Sequence, residues 1–461
     1  MAVYWALLLH FYQPPTQLPH VLRQIARESY RPLIRLLADN SHVRLTVNIN
    51  AVLSETLVDG AHQDVVEGLA WLADRGQIEF TGSAKYHAIL PLLPEREMRR
   101  QIRANETTNR RYFGEVYAPR GFFPPEMCYS DRVLGPVEEA GYQWIILSGV
   151  ACHTPWPMDI VYAGNPLDAP ISFVFRDDVL SNEISFQNID SARFLERLRD
   201  MGRRRSGDVY VVTAMDAETY GHHIAGWEQT FLGQTYAALR LQAASQKKDR
   251  PLAESLGRRA SVPAHLSMGG GSMGGGAWGP EPRSRGGGVA VATAGTSVEI
   301  RAVTISEIVD RFPRKDGCWP LASSWSTSGQ DLVAGVPYPL WDDPGNALHK
   351  LLWEHVRVCL ELVEQAEQCA DGASSQWHAG IARSIMDRAL HSCQFWWASR
   401  RPHWDVNMVF RGLAEQSQAA VNAARAIETS GAPGEQKRLA WRRRQAALEA
   451  YREIVTELVR A

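Results

Sequence analysis

The chain has 461 residues, enough for a large core and two domains, and its 45% hydrophobic and 22% charged residues match a water-soluble globular protein. The formal net charge of −2 gives no reason to expect a nucleic-acid partner, and no apolar run is long enough to span a membrane. The 15 Trp, 14 Tyr and 13 Phe are unusual: aromatic faces suit the apolar C–H surface of sugar rings, although most such rings serve as core.

The opening stretch MAVYWALLLHFYQPP has no basic n-region and no small-residue cleavage site, so it reads as a first strand, Val3–Leu9, not a signal peptide. Helical apolar spacing follows over Leu18–Ala38, then a strand over Val43–Val47, a helix over Gln63–Arg75 and a strand over Gln77–Phe80. Glu95–Phe113 is a charged amphipathic helix, Arg120–Phe123 a short strand, and Asp131 a candidate N-cap for a helix reaching Ala140. Strands are expected at Trp144–Leu147 and Ile171–Phe175, and a helix at Ser191–Met201. The run Tyr210–Met215 is β-branched and aromatic without alternation, as in a buried parallel strand. Residues 247–289 break the pattern with a Gly-, Ser- and Pro-rich stretch that cannot build a core, so a flexible surface insertion without a catalytic role is expected there. A strand at Val298–Thr304 and a helix at Ile305–Phe312 resume the alternation. Four helical patterns, near 346–370, 376–399, 404–427 and 435–460, complete the chain. Strands alternating with helices predict a parallel α/β sheet, and about seven units favour closure into a barrel. The expected division is a barrel over 1–313 and a helical domain over 314–461.

The six Cys, at 128, 152, 318, 359, 369 and 393, form no CxxC pair, which argues for reduced thiols in a cytoplasmic protein. Polar clusters close four strands: His10/Gln13, Lys85/Tyr86/His87, Glu126, and Asp216/Glu218/His222/His223. In a barrel such strand ends converge on one rim. Glu126 follows Phe122-Phe123-Pro124-Pro125, a stiff and dry setting that suits a nucleophile, though a helix-start glutamate fits as well. With Asp216 it could form the carboxylate pair of a glycosidase, one ionised and one protonated. The four histidines could instead ligate a metal, but adjacent His222 and His223 diverge on a strand and no HExxH spacing occurs. No metal or cofactor is therefore assigned, and neutral imidazoles donating to sugar hydroxyls are the simpler role.

The ordered motifs resemble those of glycoside hydrolase family 57. His10-Phe11-Tyr12-Gln13-Pro14 resembles the first motif, Gly82–Pro94 (GSAKYHAILPLLP) the second, Phe123-Pro124-Pro125-Glu126 the third and Asp216-Ala217-Glu218-Thr219-Tyr220-Gly221 the fourth. Ser324-Trp325, with Trp341, Asn346 and His349, looks like the fifth. The resemblance implies a seven-stranded (β/α) barrel, distorted and TIM-like, with a C-terminal α-helical domain. It further implies Glu126 as nucleophile and Asp216 as general acid/base of a retaining enzyme acting on an α-glucan or maltooligosaccharide. His10, Gln13, His87, Phe123, Glu218, His222, Trp325 and Trp397 would contact substrate, with Arg176 and Asp177 as weaker candidates. Tyr12 replaces the second His of the first motif, Phe123 the Trp of the third, and His87 stands nearest a Glu of the second. These departures touch substrate contacts, not the carboxylate pair. Hydrolysis and transfer (4-α-glucanotransferase or branching type) differ only in the acceptor. A metal-dependent carbohydrate deacetylase and a non-catalytic glucan-binding protein are the rival classes. The sequence assigns no oligomeric state.

Overall fold

The computed structural model describes residues 1–164, 171–257, 298–401 and 404–460. β1 (Ala2–Phe11) leads into α1 (Pro19–Ile25), a π-helical turn (Ala26–Tyr30) and α2 (Arg31–Asp39). There follow β2 (Leu45–Ile49), α3 (Ala51–Asp59), α4 (Gln63–Asp74), β3 (Ile78–Gly82) and α5 (Glu95–Phe113). β4 (Gly121–Phe122), α6 (Leu134–Glu139), β5 (Trp144–Leu147), β6 (Val161–Ala163) and β7 (Ser172–Phe175) come next. Then come α7 (Asp178–Ser185), α8 (Ser191–Arg203), β8 (Val209–Asp216), α9 (Gln234–Gly257), β9 (Glu299–Val303), α10 (Ile305–Arg311) and β10 (Arg314–Lys315). The expected insertion begins as a continuation of α9; the Gly-rich stretch 268–288 lies outside the described residues.

The sheet runs β8-β1-β2-β3-β4-β5-β7 with all neighbours parallel, and β6 pairs β7 antiparallel. Between β7 and β8 the ring is closed by the Asp177 amide donating to the Val212 carbonyl (2.7 Å) and by Arg176 Nε donating to Ala214 O (2.8 Å). This is a distorted (β/α)7 barrel, as the alternation of elements implied. β9 pairs with the first half of β1, while β2 takes its second half. Inside, Tyr4, Ala6 and Leu8 of β1 meet Tyr210, Val212 and Ala214 of β8, Trp144 and Ile146 of β5, and Ile305, Ile308 and Phe312 in or just after α10. α10 therefore fills the lumen with apolar side chains, a packed core and not a pore. Odd-numbered β1 residues (Val3, Trp5, Leu7, Leu9) face outward under the surrounding helices.

Within the barrel, two sequence expectations change. Asp131 does not cap a helix: Ser130 precedes a 3₁₀ turn (Asp131–Val133), and the Asp131 carboxylate accepts from Tyr129 OH at 2.9 Å. The single helix expected over 18–38 is split by the π turn. There the Arg31 amide donates to Ala26 O, one residue beyond its regular acceptor, and Pro32 has no N–H to bond the Glu28 carbonyl. Residues 314–325 stay with the barrel through the β10–β6 pairing and a Tyr129–Ser323 bridge.

The chain continues through the short α11 (Gly329–Val333) into α12 (Ala347–Cys369), α13 (Ala373–Ala389), α14 (Cys393–Ala398), α15 (Val406–Glu428) and α16 (Gly434–Arg460). These helices share one apolar cluster with Ile145 and Leu147 of β5 and Phe173 and Phe175 of β7. The helical pattern expected over 376–399 breaks at Leu390–Ser392, where the chain dips toward the barrel and Ala88 bridges His391. Among the described residues no helix is long and apolar enough to cross a membrane.

Candidate active site

Strand parity sets the site. His10 shares its face of β1 with Tyr4, Ala6 and Leu8, and Asp216 shares its face of β8 with Val212 and Ala214. Both therefore point inward where the strands end, paired in register with each other, and His10 also with Asn48 of β2. His10 Nδ1 lies 2.6 Å from Asn48 Oδ1, whose amide donates to Thr81 Oγ1 (2.9 Å). Asn48 Oδ1 is thus the acceptor and His10 Nδ1 carries the proton. Burial pushes the His10 pKa down to about 4, so the ring is neutral. It stacks on Phe123 (4.7 Å between centroids) and on His87 (4.9 Å), with Trp325 edge-on at 5.8 Å.

Glu126 follows Pro124 and Pro125 in a tight turn and itself has φ +59°, a left-handed conformation uncommon for a residue with a side chain. The turn lifts its carboxylate into the rim, where only 13% of the side chain is exposed. Trp325 Nε1 donates to Oε2 (3.0 Å), and the Ser392 hydroxyl donates to Oε1 (3.1 Å). The Trp325 amide also donates to the Glu126 carbonyl at 3.1 Å. Burial, reinforced by the charge of Asp216, raises the Glu126 pKa to about 8; the two hydrogen bonds pull the other way. Asp216 is raised to about 6, again by burial, with the Arg176 guanidinium opposing. Glu218, just past β8, is raised to about 8 by burial and by Asp216. It accepts from Tyr30 OH and from Gln13 Nε2 (2.9 Å).

The structure brings together Glu126, Asp216, His10, His87, Trp325, Gln13 and Glu218. Phe123 is fully buried and supports His10 from below the rim. His87 stacks on Tyr12 at 3.8 Å, its Nδ1 is 2.8 Å from Ser392 Oγ, and its Nε2 is buried without a partner. His222 is partly exposed and paired with Glu28 at 2.9 Å. Trp397 is half-buried, four residues along α14 from Cys393, whose Sγ is 3.4 Å from Tyr12 OH, so it lies one turn away on the same helix face. Arg176 ties β7 to β8 and pairs with Asp178 at 2.7 Å, while Asp177 caps α7 by accepting from the Leu180 amide. Both are accounted for structurally, with Arg176 also bearing on Asp216. Of the fifth region only Trp325 reaches the site. Asn346 caps α12, His349 is engaged by the Asp343 amide and the Phe395 carbonyl, and Trp341 is buried.

Sequence reasoning missed three residues here. The strand predicted over Val43–Val47 stops just short of Asn48, Tyr30 lies inside an amphipathic helical pattern, and Ser392 belongs to the predicted helical domain. The polar run Glu28-Ser29-Tyr30 inside that pattern is the available signal for Tyr30. The described residues contain no group of three or more His, Cys, Asp or Glu side chains placed to hold a metal ion.

Residues 8–247 match the sequence profile of Glycosyl hydrolase family 57. The chain belongs to that family. An α-amylase from Dictyoglomus thermophilum is 27% identical over 146 residues, which are 32% of this chain and 21% of that protein. A 4-alpha-glucanotransferase from Thermococcus litoralis is 22% identical over 139 residues, 30% of this chain and 20% of that protein. The match thus spans about a fifth of these curated relatives. A branching enzyme of the same family from Pyrococcus horikoshii superposes with a TM-score of 0.65 at 15% identity, over 97% of this chain and 96% of that one, a likeness of fold. The matched region contains both Glu126 and Asp216.

Proposed function

We propose that this member of the glycosyl hydrolase family is a retaining enzyme acting on α-1,4-linked glucans or maltooligosaccharides. The observation that carries this reading is a buried pair of carboxylates, Glu126 and Asp216, delivered from separate strand ends and coupled by charge, with donors on both oxygens of Glu126. Glu126 attacks the anomeric carbon as Asp216 protonates the departing glycosidic oxygen. Asp216 then removes a proton from water or a sugar hydroxyl, which displaces Glu126 and restores the anomeric configuration. Trp325 and Ser392 favour the ionised form that a nucleophile needs. Neutral His10 presents its Nε2 lone pair to a hydroxyl proton, and Glu218, held by Tyr30 and Gln13, takes a second hydroxyl. Trp325 and Trp397 are the proposed sugar platforms, and His222, at the outer end of the cluster, is a further contact. The six free cysteines fit a reducing compartment such as the cytoplasm.

Burial raises Glu126 further than Asp216, so the free protein favours the proton on Glu126, the reverse of these roles. The deciding experiment is to incubate the protein with maltoheptaose, resolve the products, and trap the glycosyl-enzyme for peptide mapping. Shorter sugars with a label on Glu126 are expected. Longer products in addition identify a transferase, and branched ones a branching enzyme, the second reading consistent with family membership. A label on Asp216 would invert the two roles. Glu126→Gln and Asp216→Asn should each lower turnover by roughly three or more orders of magnitude, and near-normal activity in either variant sinks the assignment.

A further inference from the structure

Ser392 lies in the break between α13 and α14, 266 residues from Glu126 in sequence, yet its hydroxyl touches the proposed nucleophile. The contact is built. The Ser392 amide donates to the His87 carbonyl (3.1 Å), Ala88 bridges His391, and Ser392 Oγ stands 2.8 Å from His87 Nδ1. His87 is held in a left-handed backbone conformation (φ +57°), between the rings of Tyr12 and His10. A non-glycine residue in that region persists only where its surroundings over-determine it.

A serine hydroxyl has one proton, which fixes the direction of the chain. With Glu126 ionised, Ser392 O–H donates to Oε1, so Ser392 Oγ must accept and His87 Nδ1 must carry the imidazole proton. His87 Nε2 is then a bare lone pair, and it is buried with no partner. Nδ1 is occupied by Ser392, and Nε2, unlike that of His10, is shut away from the surface, where a sugar hydroxyl does not reach it.

We propose that Ser392 and His87 are a positioning pair for Glu126: the helical region supplies the hydroxyl that aims one carboxylate oxygen, and His87 orients that hydroxyl instead of contacting substrate. This inference rests on Glu126 being the nucleophile, and it replaces the sugar-contact role expected for His87. Besides Ser392 and Trp325, the groups that face Glu126 are Asp216 from β8, Tyr12 from the segment after β1, His87, Cys128 on its own turn and Cys393 from α14. Burial holds Tyr12 and both thiols protonated and His87 neutral near pH 7, so of these facing groups Asp216 alone adds a changing charge.

The test titrates the Glu126 carboxyl directly, by infrared difference spectroscopy of the full-length protein, with Glu126→Gln to assign the band. Ser392→Ala should move the Glu126 titration to higher pH by about one unit and lower kcat/KM about tenfold or more, as loss of a charge-assisted donor predicts. Ser392→Thr, which keeps the hydroxyl, should restore both. His87→Phe, which keeps the ring stack, should shift the same titration, yet leave maltoheptaose binding to the Glu126→Gln protein within about threefold. An unmoved carboxyl band in folded Ser392→Ala overturns the pair. Loss of maltoheptaose binding in His87→Phe/Glu126→Gln overturns the exclusion of His87 from substrate. Because the spectroscopic arm needs no turnover, a wild-type protein inactive on every α-glucan would sink the enzymatic reading and leave this test standing.

Discussion

Glu126 sits where burial and a neighbouring carboxylate oppose its ionisation. Its carboxyl is raised from 4.5 to about 8 by burial and by Asp216. Between those values the folded protein keeps a proton that the unfolded chain has released, so the contribution of this group to stability is greatest below about pH 4.5 and declines as pH rises to about 8. Glu126→Gln removes that penalty. The variant should match the wild type near pH 4.5 and exceed it by about 2–4 kcal/mol above pH 8, measured by urea unfolding across the range. A constant difference at all pH values would mean that the carboxyl is not the source. Activity carries the same signature. Asp216, raised to about 6, and Glu126 and Glu218, each raised to about 8, all titrate above the usual carboxylate range, so kcat/KM should be bell-shaped with limbs near 6 and 8. A flat profile from pH 5 to 9 would show that neither limb belongs to the pair.

At the scale of elements, a single rule made the carboxylates legible: parallel strands end in chemistry. β1, β3 and β8 each stop on polar side chains, and strand parity then turns His10 and Asp216 inward. What the sequence concealed was a helical irregularity. Apolar spacing from Leu18 to Leu37 reads as one amphipathic helix, because a one-residue π insertion barely disturbs a 3.6-residue period. That insertion nevertheless aims three side chains at the turn after β8. Ser29 Oγ donates to Ala217 O, Tyr30 to Glu218, and Glu28 pairs with His222. The two segments meet most closely at Gly221, where φ is +101° and an added Cβ would lie 1.9 Å from the Glu28 carbonyl oxygen. Gly221→Ala must therefore push the turn off the π segment. The expected result is a loss of about 2–4 kcal/mol in stability together with a fall in kcat/KM at temperatures where the variant is still fully folded. Unchanged kinetics in a destabilised variant would show that Glu218 does not depend on this contact.

At the scale of the whole molecule, the helical pattern over 346–460 was legible, but its role was not. The sequence predicts a helical domain that lends Trp397 to the substrate site. In the structure it joins the barrel through apolar core and through Arg383 of α13, whose guanidinium is about as buried as its partner, Glu97 of α5, at 2.9 Å. Glu367 and Asp387 complete the cluster at 2.7 and 3.5 Å. Pairings between residues 286 positions apart leave no trace in local periodicity, which is why an interface of this kind escapes a single sequence. It bears on function because α13 leads directly into His391 and Ser392. Arg383→Met should cost about 3–5 kcal/mol, since Glu97 is left buried beside Asp387 without its cation. Adding Glu97→Gln should return most of that loss, because the cost lies in the unpaired charge and not in the missing contact. If barrel and bundle are one cooperative unit, calorimetry should record a single transition in wild type and in both variants. Two separated transitions in Arg383→Met, with the carboxylate pair still active between them, would show instead that the barrel holds Glu126 in place without the helices.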